Sequence, residues 1–158
     1  MNKKLQLQVS AIDEGTVIDH IPSENLFKVI SILDLDKTKN MITFGTNLDS
    51  RKMGTKSIIK ISHKFFANDD INKISLIAPH AKLNIIKDYI VVEKKSVEVP
   101  DEVIGIVKCI NPKCITNNEA VTTSFKVINK EPITLKCKYC EKLTHEHRIV
   151  IKKSGSED

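Results

Sequence analysis

CINPKCITNNEAVTTSFKVINKEPITLKCKYC, residues 109–140, holds all four cysteines of this 158-residue chain. They fall as two close pairs, Cys109 with Cys114 and Cys137 with Cys140: a C-x4-C and a C-x2-C, twenty-two residues apart. That spacing predicts a structural Zn2+ held by four thiolates, because two short loops from separate segments can wrap one tetrahedral ion. Four protein ligands leave no position open for water or substrate, so the ion is expected to hold a fold together and not to catalyse. Disulfides would suit a secreted protein. The opening Met1-Asn-Lys-Lys-Leu-Gln-Leu-Gln-Val9 has no apolar stretch long enough for a signal peptide, and no run approaches a membrane span, so a cytoplasmic protein is expected. A redox pair at Cys137 and Cys140 would leave the first pair unexplained. Lys108, Lys113, Lys136, Lys138 and Lys142 lie close to the cysteines in sequence and would offset the charge of four thiolates around a divalent ion. The lysine richness of the whole chain accounts for them nearly as well.

Outward from the cysteines, every segment after residue 98 reads as strand: 103–107, 121–128, 133–135 and 147–151. This all-β unit has few large apolar side chains, and a core of that size is marginal without a metal. A linker around residues 94–100 precedes it. Before the linker the pattern mixes strands and helices. Residues 5–12 alternate apolar and polar, and residues 16–21 read as the returning strand. Ser23 is expected to cap a helix over 24–33 with Leu26, Phe27, Ile30 and Leu33 on its inner face. Strands follow at 41–48 and 56–62. Asn68-Asp-Asp70 is expected to cap a second helix with Ile71, Ile74, Ile77 and Ala78 inward, and 83–86 and 89–93 read as a hairpin or two short strands. The expected fold is α+β: a ferredoxin-like antiparallel sheet with two helices over residues 1–97, followed by a small all-β zinc-binding domain over 98–158.

Composition is globular, with 41% hydrophobic residues, no tryptophan, a net charge of +5 and a pI near 9.0. The positive excess suggests an anionic partner, although the basic residues are dispersed. No phosphate loop, dinucleotide fingerprint, nucleophile elbow or H-E-x-x-H is present, and the chain has only five glycines. His145-Glu-His147 is either an auxiliary metal site or a solvent-facing edge; His63 and His80 have no evident partners. No catalytic constellation emerges. Nucleotide binding without catalysis would need lysines converging from several segments, and Lys56, Lys60 and Lys94 are the candidates. Asp19 could accept from sugar hydroxyls and His20 could meet a phosphate.

Gly15-Thr-Val-Ile-Asp-His-Ile-Pro22, Lys56, Lys60, Ala78-Pro79, Asn84, Tyr89, Lys94, Cys109-Ile-Asn-Pro-Lys-Cys114 and Leu135-Lys-Cys-Lys-Tyr-Cys-Glu141 occur in that order. Together they resemble the regulatory chain of aspartate carbamoyltransferase over essentially the whole sequence. The resemblance implies a chain without activity of its own, pairing with itself through its first domain and docking its zinc domain on catalytic chains of pyrimidine biosynthesis. It implies ATP as activator and CTP as inhibitor at one site, with UTP able to strengthen inhibition. Val9, Ala11, Ile12 and Val17 would surround base and ribose. Asp19 would meet the ribose, His20 the phosphates, Lys60 the base or sugar and Lys94 a phosphate. Lys56 and Asn84 would be peripheral contacts, and Ile86 and Tyr89 would read the base through their backbone. The loops near Asn111 and Glu141 would form the docking surface. Two other classes compete: a zinc-ribbon protein binding nucleic acid, and an enzyme using Cys137 or a histidine. The first lacks aromatic platforms and clustered arginine and lysine. The second lacks a motif and an open metal position.

Overall fold

The computed structural model describes residues 11–152. The chain divides into two compact units between Val97 and Glu98.

In the first unit, β1 (Gly15–Ile21) leads through a 3-10 turn (Ser23–Asn25) into α1 (Leu26–Ile32). The hairpin β2 (Ile42–Ser50) and β3 (Gly54–Ser62) follows, then α2 (Asn68–Ile77) and the hairpin β4 (Lys82–Lys87) and β5 (Ile90–Ser96). The sheet order is β2-β3-β1-β4-β5, every neighbouring pair antiparallel. The chain from β1 to β4 has the strand-helix-strand-strand-helix-strand plan of a ferredoxin-like fold, with β5 added at one edge. The β4–β5 connection has two residues, Asp88 and Tyr89, both left-handed at φ 52° and 65°. That is the geometry of a type I′ hairpin turn, whose twist suits the flanking strands.

Alternation assigns the two faces of this sheet. Ile18, Ile21, Ile59, Ile61 and Leu83 pack with Leu26, Val29 and Leu33 of the α1 segment and with Ile74 and Ala78 of the α2 segment. Both helices therefore cover one face. The residues between them in sequence, Val17, Ile58 and Ile86, form a smaller apolar cluster with Ile12 on the opposite face.

Several sequence expectations need correction. The strand expected over 5–12 lies mostly outside the described residues, and its described end, Ala11 and Ile12, is not in a strand. Ser23 caps nothing: no side chain caps the 3-10 turn or α1, and Ser23 Oγ instead accepts from the Asn47 amide at 3.3 Å. Phe27 points outward, 66% exposed, with Val29 buried in its stead. The inner stripe runs Leu26, Val29, Leu33, three and then four residues apart; Phe27, one residue from Leu26, turns toward the sheet edge and meets the Phe44 ring edge-on at 6.0 Å. Asn68 is the first helical residue of α2 and not its cap.

The second unit builds a four-stranded antiparallel sheet, order β10-β9-β8-β6, from β6 (Glu102–Ile104), β8 (Ser124–Lys130), β9 (Ile133–Cys137) and β10 (Leu143–His145). β7 (Val107–Lys108) pairs with β11 (Val150–Ile151). Its buried apolar side chains are few: Val103, Val107, Phe125, Ile133 and Leu135, with the cysteines beside them. Several details depart from expectation: the strand expected over 147–151 begins as a 3-10 turn (Glu146–Arg148), and only Val150–Ile151 is strand. A single helical turn, α3 (Ile115–Asn118), follows Cys114, and Gly105, at φ 71°, breaks the expected strand 103–107 in two.

Candidate functional site

The helix-free face of the first unit collects most of the residues singled out from sequence. β1 pairs Val17 with Lys60 of β3 on one side and with Asn84 of β4 on the other, and Asn84 pairs in turn with Lys94 of β5. Directly opposed residues in a sheet share a face. Lys60, Val17, Asn84 and Lys94 therefore stand in one row across four strands. One end of the row's face is apolar: Ile86 pairs with Gly15, and Ile12 is buried against Val17 and Ile86. Ala11 is exposed beside Ile12. Tyr89 projects at this end too, its side chain exposed and its amide donating to the Asp13 carbonyl at 3.0 Å. Val9 lies outside the described residues.

The other end is polar. β1 and β3 lose register between Ile18 and Ile21, and His20 adopts φ 61° there. Such a bulge re-aims side chains at a strand end. The Asp19 carboxylate accepts the His20 amide at 2.6 Å and pairs with Lys56 Nζ at 2.9 Å. His20 Nδ1 stands 3.6 Å from Asp19 Oδ1 and has no hydrogen-bond partner among the described residues. Burial holds the His20 pKa below its ordinary value; Asp19 opposes this, and the charges of Lys56, Lys82 and Lys52 add to it. Burial likewise lowers the Lys60 pKa against the pull of Asp19. The face thus runs from an apolar end, over a lysine–asparagine row, to a basic end with one histidine. Lys82, Lys52 and Ile58 were not singled out from sequence. Alternation along β4 (Lys82, Asn84, Ile86) would have flagged the first.

In the second unit the four sulfurs converge: all lie within 4.8 Å of one another. Cys109 and Cys140 Sγ are 3.6 Å apart, and Cys114 and Cys137 Sγ 3.7 Å. Four sulfurs at about 2.3 Å from a central ion in a tetrahedron would be about 3.8 Å apart, whereas a disulfide would need about 2 Å. The thiol set therefore fits a tetrahedral metal. Burial pushes the Cys109 thiol up to about 12 and raises Cys137 as well. At Cys140 burial is outweighed by hydrogen bonds from the Asn111 side chain, the Lys142 backbone and the other thiols, which bring it to about 7. Cys109 and Cys137, which burial keeps protonated, need a cation to become thiolates.

Asparagines that sequence reading passed over brace the first cysteine loop. Asn117 Nδ2 donates to the carbonyls of Cys109 and Asn111 at 2.8 and 2.7 Å, and Asn118 Nδ2 to those of Cys114 and Pro112 at 2.8 and 3.0 Å. Thr116 Oγ1 donates to Cys114 Sγ at 3.2 Å. Their signal was the polar run directly after Cys114. Asn111 sits inside that loop, its side-chain oxygen accepting the Lys113 amide at 3.1 Å. Glu141, exposed and left-handed at φ 65°, turns the second loop as its amide donates to Cys137 O. His145 and His147 join no cluster of metal-ligating groups among the described residues.

Comparison with known proteins agrees with this two-part plan. The family described as "Aspartate carbamoyltransferase regulatory chain, allosteric domain" matches residues 7–98. The one described as "Aspartate carbamoyltransferase regulatory chain, metal binding domain" matches residues 101–150. The aspartate carbamoyltransferase regulatory chain of Parabacteroides distasonis is 58% identical over 150 residues, covering 95% of this chain and 97% of that one. That of Bacteroides fragilis is 59% identical over 148 residues, covering 94% and 97%. That of the archaeon Thermococcus sibiricus is 54% identical over 145 residues, covering 92% and 96%.

Proposed function

This chain belongs to the family of aspartate carbamoyltransferase regulatory chains, and from that membership we propose that its first unit, residues 1–97, binds ATP and CTP on the helix-free face of the sheet. It is a regulatory chain, not a catalytic one. The observation that carries the effector reading is the row Lys60–Val17–Asn84–Lys94 in strict register between an apolar end and a basic end. A nucleotide has the same polarity along its length: a flat, largely apolar base, a sugar and an anionic tail. The base would lie over Ile12, Val17 and Ile86, near Ala11 and the backbone of Tyr89. The ribose would lie by Asp19, Lys60 and Asn84, with the phosphates toward His20, Lys56 and Lys94. UTP would act as a further pyrimidine effector.

The second unit, residues 98–158, would hold one structural Zn2+ on Cys109, Cys114, Cys137 and Cys140. When bound, the ion ties two loops of a small core into one rigid surface. Asn111 and Glu141 on those loops, with the exposed Ile115, Tyr139 and Leu143 nearby in sequence, would dock on the catalytic chain. Self-association would use the first unit. In support, Phe44 of the edge strand β2, Met41 just before it and Phe27 of α1 are exposed. The complex would work in the cytoplasm, in pyrimidine biosynthesis. No helix among the described residues is long and apolar enough to cross a membrane.

Effectors would act by population shift. A purine and a pyrimidine nucleotide held on the same lysines must bind the two states of the assembly unequally, or they shift nothing. A difference of about 1–3 kcal/mol suffices. A nucleic-acid-binding zinc ribbon finds less support, because the lysines converge on one end of a sheet instead of tracking a strand-long groove.

Calorimetric titration tests the reading. CTP and ATP should compete for one site per chain, and Lys60→Ala or Lys94→Ala should weaken each by about tenfold, the loss expected when a charged hydrogen bond is removed. Tight oligonucleotide binding with a steep salt dependence, and no response to nucleotides, would overturn it.

A further inference from the structure

The basic end of the helix-free face holds two lysines with no role in the reading above, and their placement has a consequence for specificity. Lys82 opens β4 and is the direct cross-strand partner of Asp19. It shares the face of Asn84 and Ile86, two and four residues further along the strand. Lys52 sits in the turn, residues 51–53, that joins β2 to β3 at the same end of the sheet, four residues before Lys56. Asp19 is engaged by Lys56 at 2.9 Å. One carboxylate therefore faces Lys56 and Lys82, with Lys60 further along β3, while the charge of Lys52 reaches the neighbouring His20. Asp49 does not balance them: it pairs with Thr55, whose place in the alternation is with Ile59 and Ile61 on the helix-covered face. The uncompensated positive charge surrounds His20, whose Nδ1 is buried without a hydrogen-bond partner among the described residues.

Position along β1 gives the span. Ile86, at the apolar end, pairs with Gly15, and Lys82 pairs with Asp19. Four residues of strand cover about 13 Å. With the base on Ile86 and the ribose by Asp19, Lys82 and the turn lysine Lys52 form a cluster on the tail side of the ribose, within reach of the distal phosphates. A monophosphate anchored by the same base would stop short of it.

Resting on the effector reading above, we propose that Lys82 and Lys52 are specificity-determining residues: they bind the terminal phosphates, and they make the site select nucleoside triphosphates over mono- and diphosphates. Lys94 and Lys60, in the central row, serve the sugar and the proximal phosphate in all three. The cluster is consequently a polyphosphate site in its own right.

Calorimetry on the full metal-loaded chain, with CTP, CMP and inorganic tripolyphosphate as probes, tests this. Lys82→Met and the Lys52→Met, Lys82→Met double variant are compared with wild type, and Lys126→Met in the second unit serves as a charge-matched control. The double variant should lose about tenfold or more in CTP affinity while CMP affinity changes less than about twofold, as expected for contacts made only by distal phosphates. Tripolyphosphate should bind wild type, compete with CTP, and bind the double variant weakly. Lys82→Arg should restore most of the discrimination. Equal losses for CTP and CMP, or an unchanged ratio of the two, would overturn the proposal. If tripolyphosphate binding depends on Lys52 and Lys82 but no nucleotide binds, the basic cluster stands and the effector reading fails. If neither binds, both fail.

Discussion

At the residue scale two positions govern the first unit, for different physical reasons. Gly15 opens β1 at φ 142°, and a Cβ there would collide with the carbonyl oxygen of Ile61 and press on the His63 amide. The obstacle is backbone within a sheet and cannot swing aside. Gly15→Ala should cost about 2 kcal/mol or more of stability, seen as a lowered midpoint in thermal or urea unfolding of the first unit. It should also disturb the Gly15–Ile86 pairing beneath the base position. His20 is the second. Its pKa lies below the ordinary histidine value because burial opposes its charged form, an effect the neighbouring lysines reinforce. The unfolded chain therefore takes up a proton near the ordinary value while the folded chain does not. Between those two pKa values the unfolded state binds more protons, so stability falls as pH drops through that window. A bound polyphosphate reverses the local electrostatics and favours imidazolium. CTP affinity should rise as pH is lowered from 8 toward 6, with net proton uptake on binding, and His20→Gln should flatten that dependence. Calorimetry in buffers of different ionisation enthalpy measures the uptake directly.

At the element scale, the first cysteine loop is held by α3 as much as by any metal. Asn117 Nδ2 donates to two carbonyls, those of Cys109 and Asn111, the second of which also accepts the Cys114 amide. Asn117→Ala would leave both without that donor and free the loop that carries two of the four thiols. Weaker retention of the ion is expected, by about ten- to a hundredfold, as for groups that orient metal ligands from outside the coordination sphere. Competition with a chromophoric chelator reads this, with Lys126→Met as an indifferent comparison. Elements also differed in how legible they were. The strands β2, β3 and β9 show plain alternation or apolar runs bounded by turns, and α2 shows its stripe of Ile71, Ile74 and Ile77. The segment around Ser23 misled because a serine before an apolar-periodic run looks like a cap. Its hydroxyl instead meets the bulge at Asn47, a residue twenty-four positions away. Phe27 misled because its aromatic partner, Phe44, lies on a strand, β2, seventeen residues away.

At the scale of the whole molecule, each unit has its own core, but the cores differ in sufficiency. The first packs two helices against a five-stranded sheet. The second has Phe125 as its one buried aromatic among the described residues and depends on four converging thiols. Removing the metal should therefore unfold the second unit selectively. Chelation should abolish association with catalytic chains while CTP binding persists within about threefold, provided the effector site lies wholly in the first unit. Sedimentation for the complex and calorimetry for the nucleotide, on the same chelated sample, check both halves. Normal assembly of metal-free chain would refute the docking role of the second unit.

The cysteine spacing, the division of the chain into a mixed unit and a strand unit, and the resemblance carried by residues 15–22 were all local in sequence, because ligand loops, periodicity and turn residues are properties of neighbours along the chain. What only the tertiary structure decided was adjacency across strands: Val17 beside both Lys60 and Asn84, Asp19 opposite Lys82, Lys52 brought to the end of a face that His20 also reaches. Strand register depends on which side chains find room in a common core. A one-residue slip of any strand would have sent that strand's member of the row to the other side of the sheet. That contest is settled between segments about thirty to seventy residues apart, so no single stretch of the sequence records its outcome.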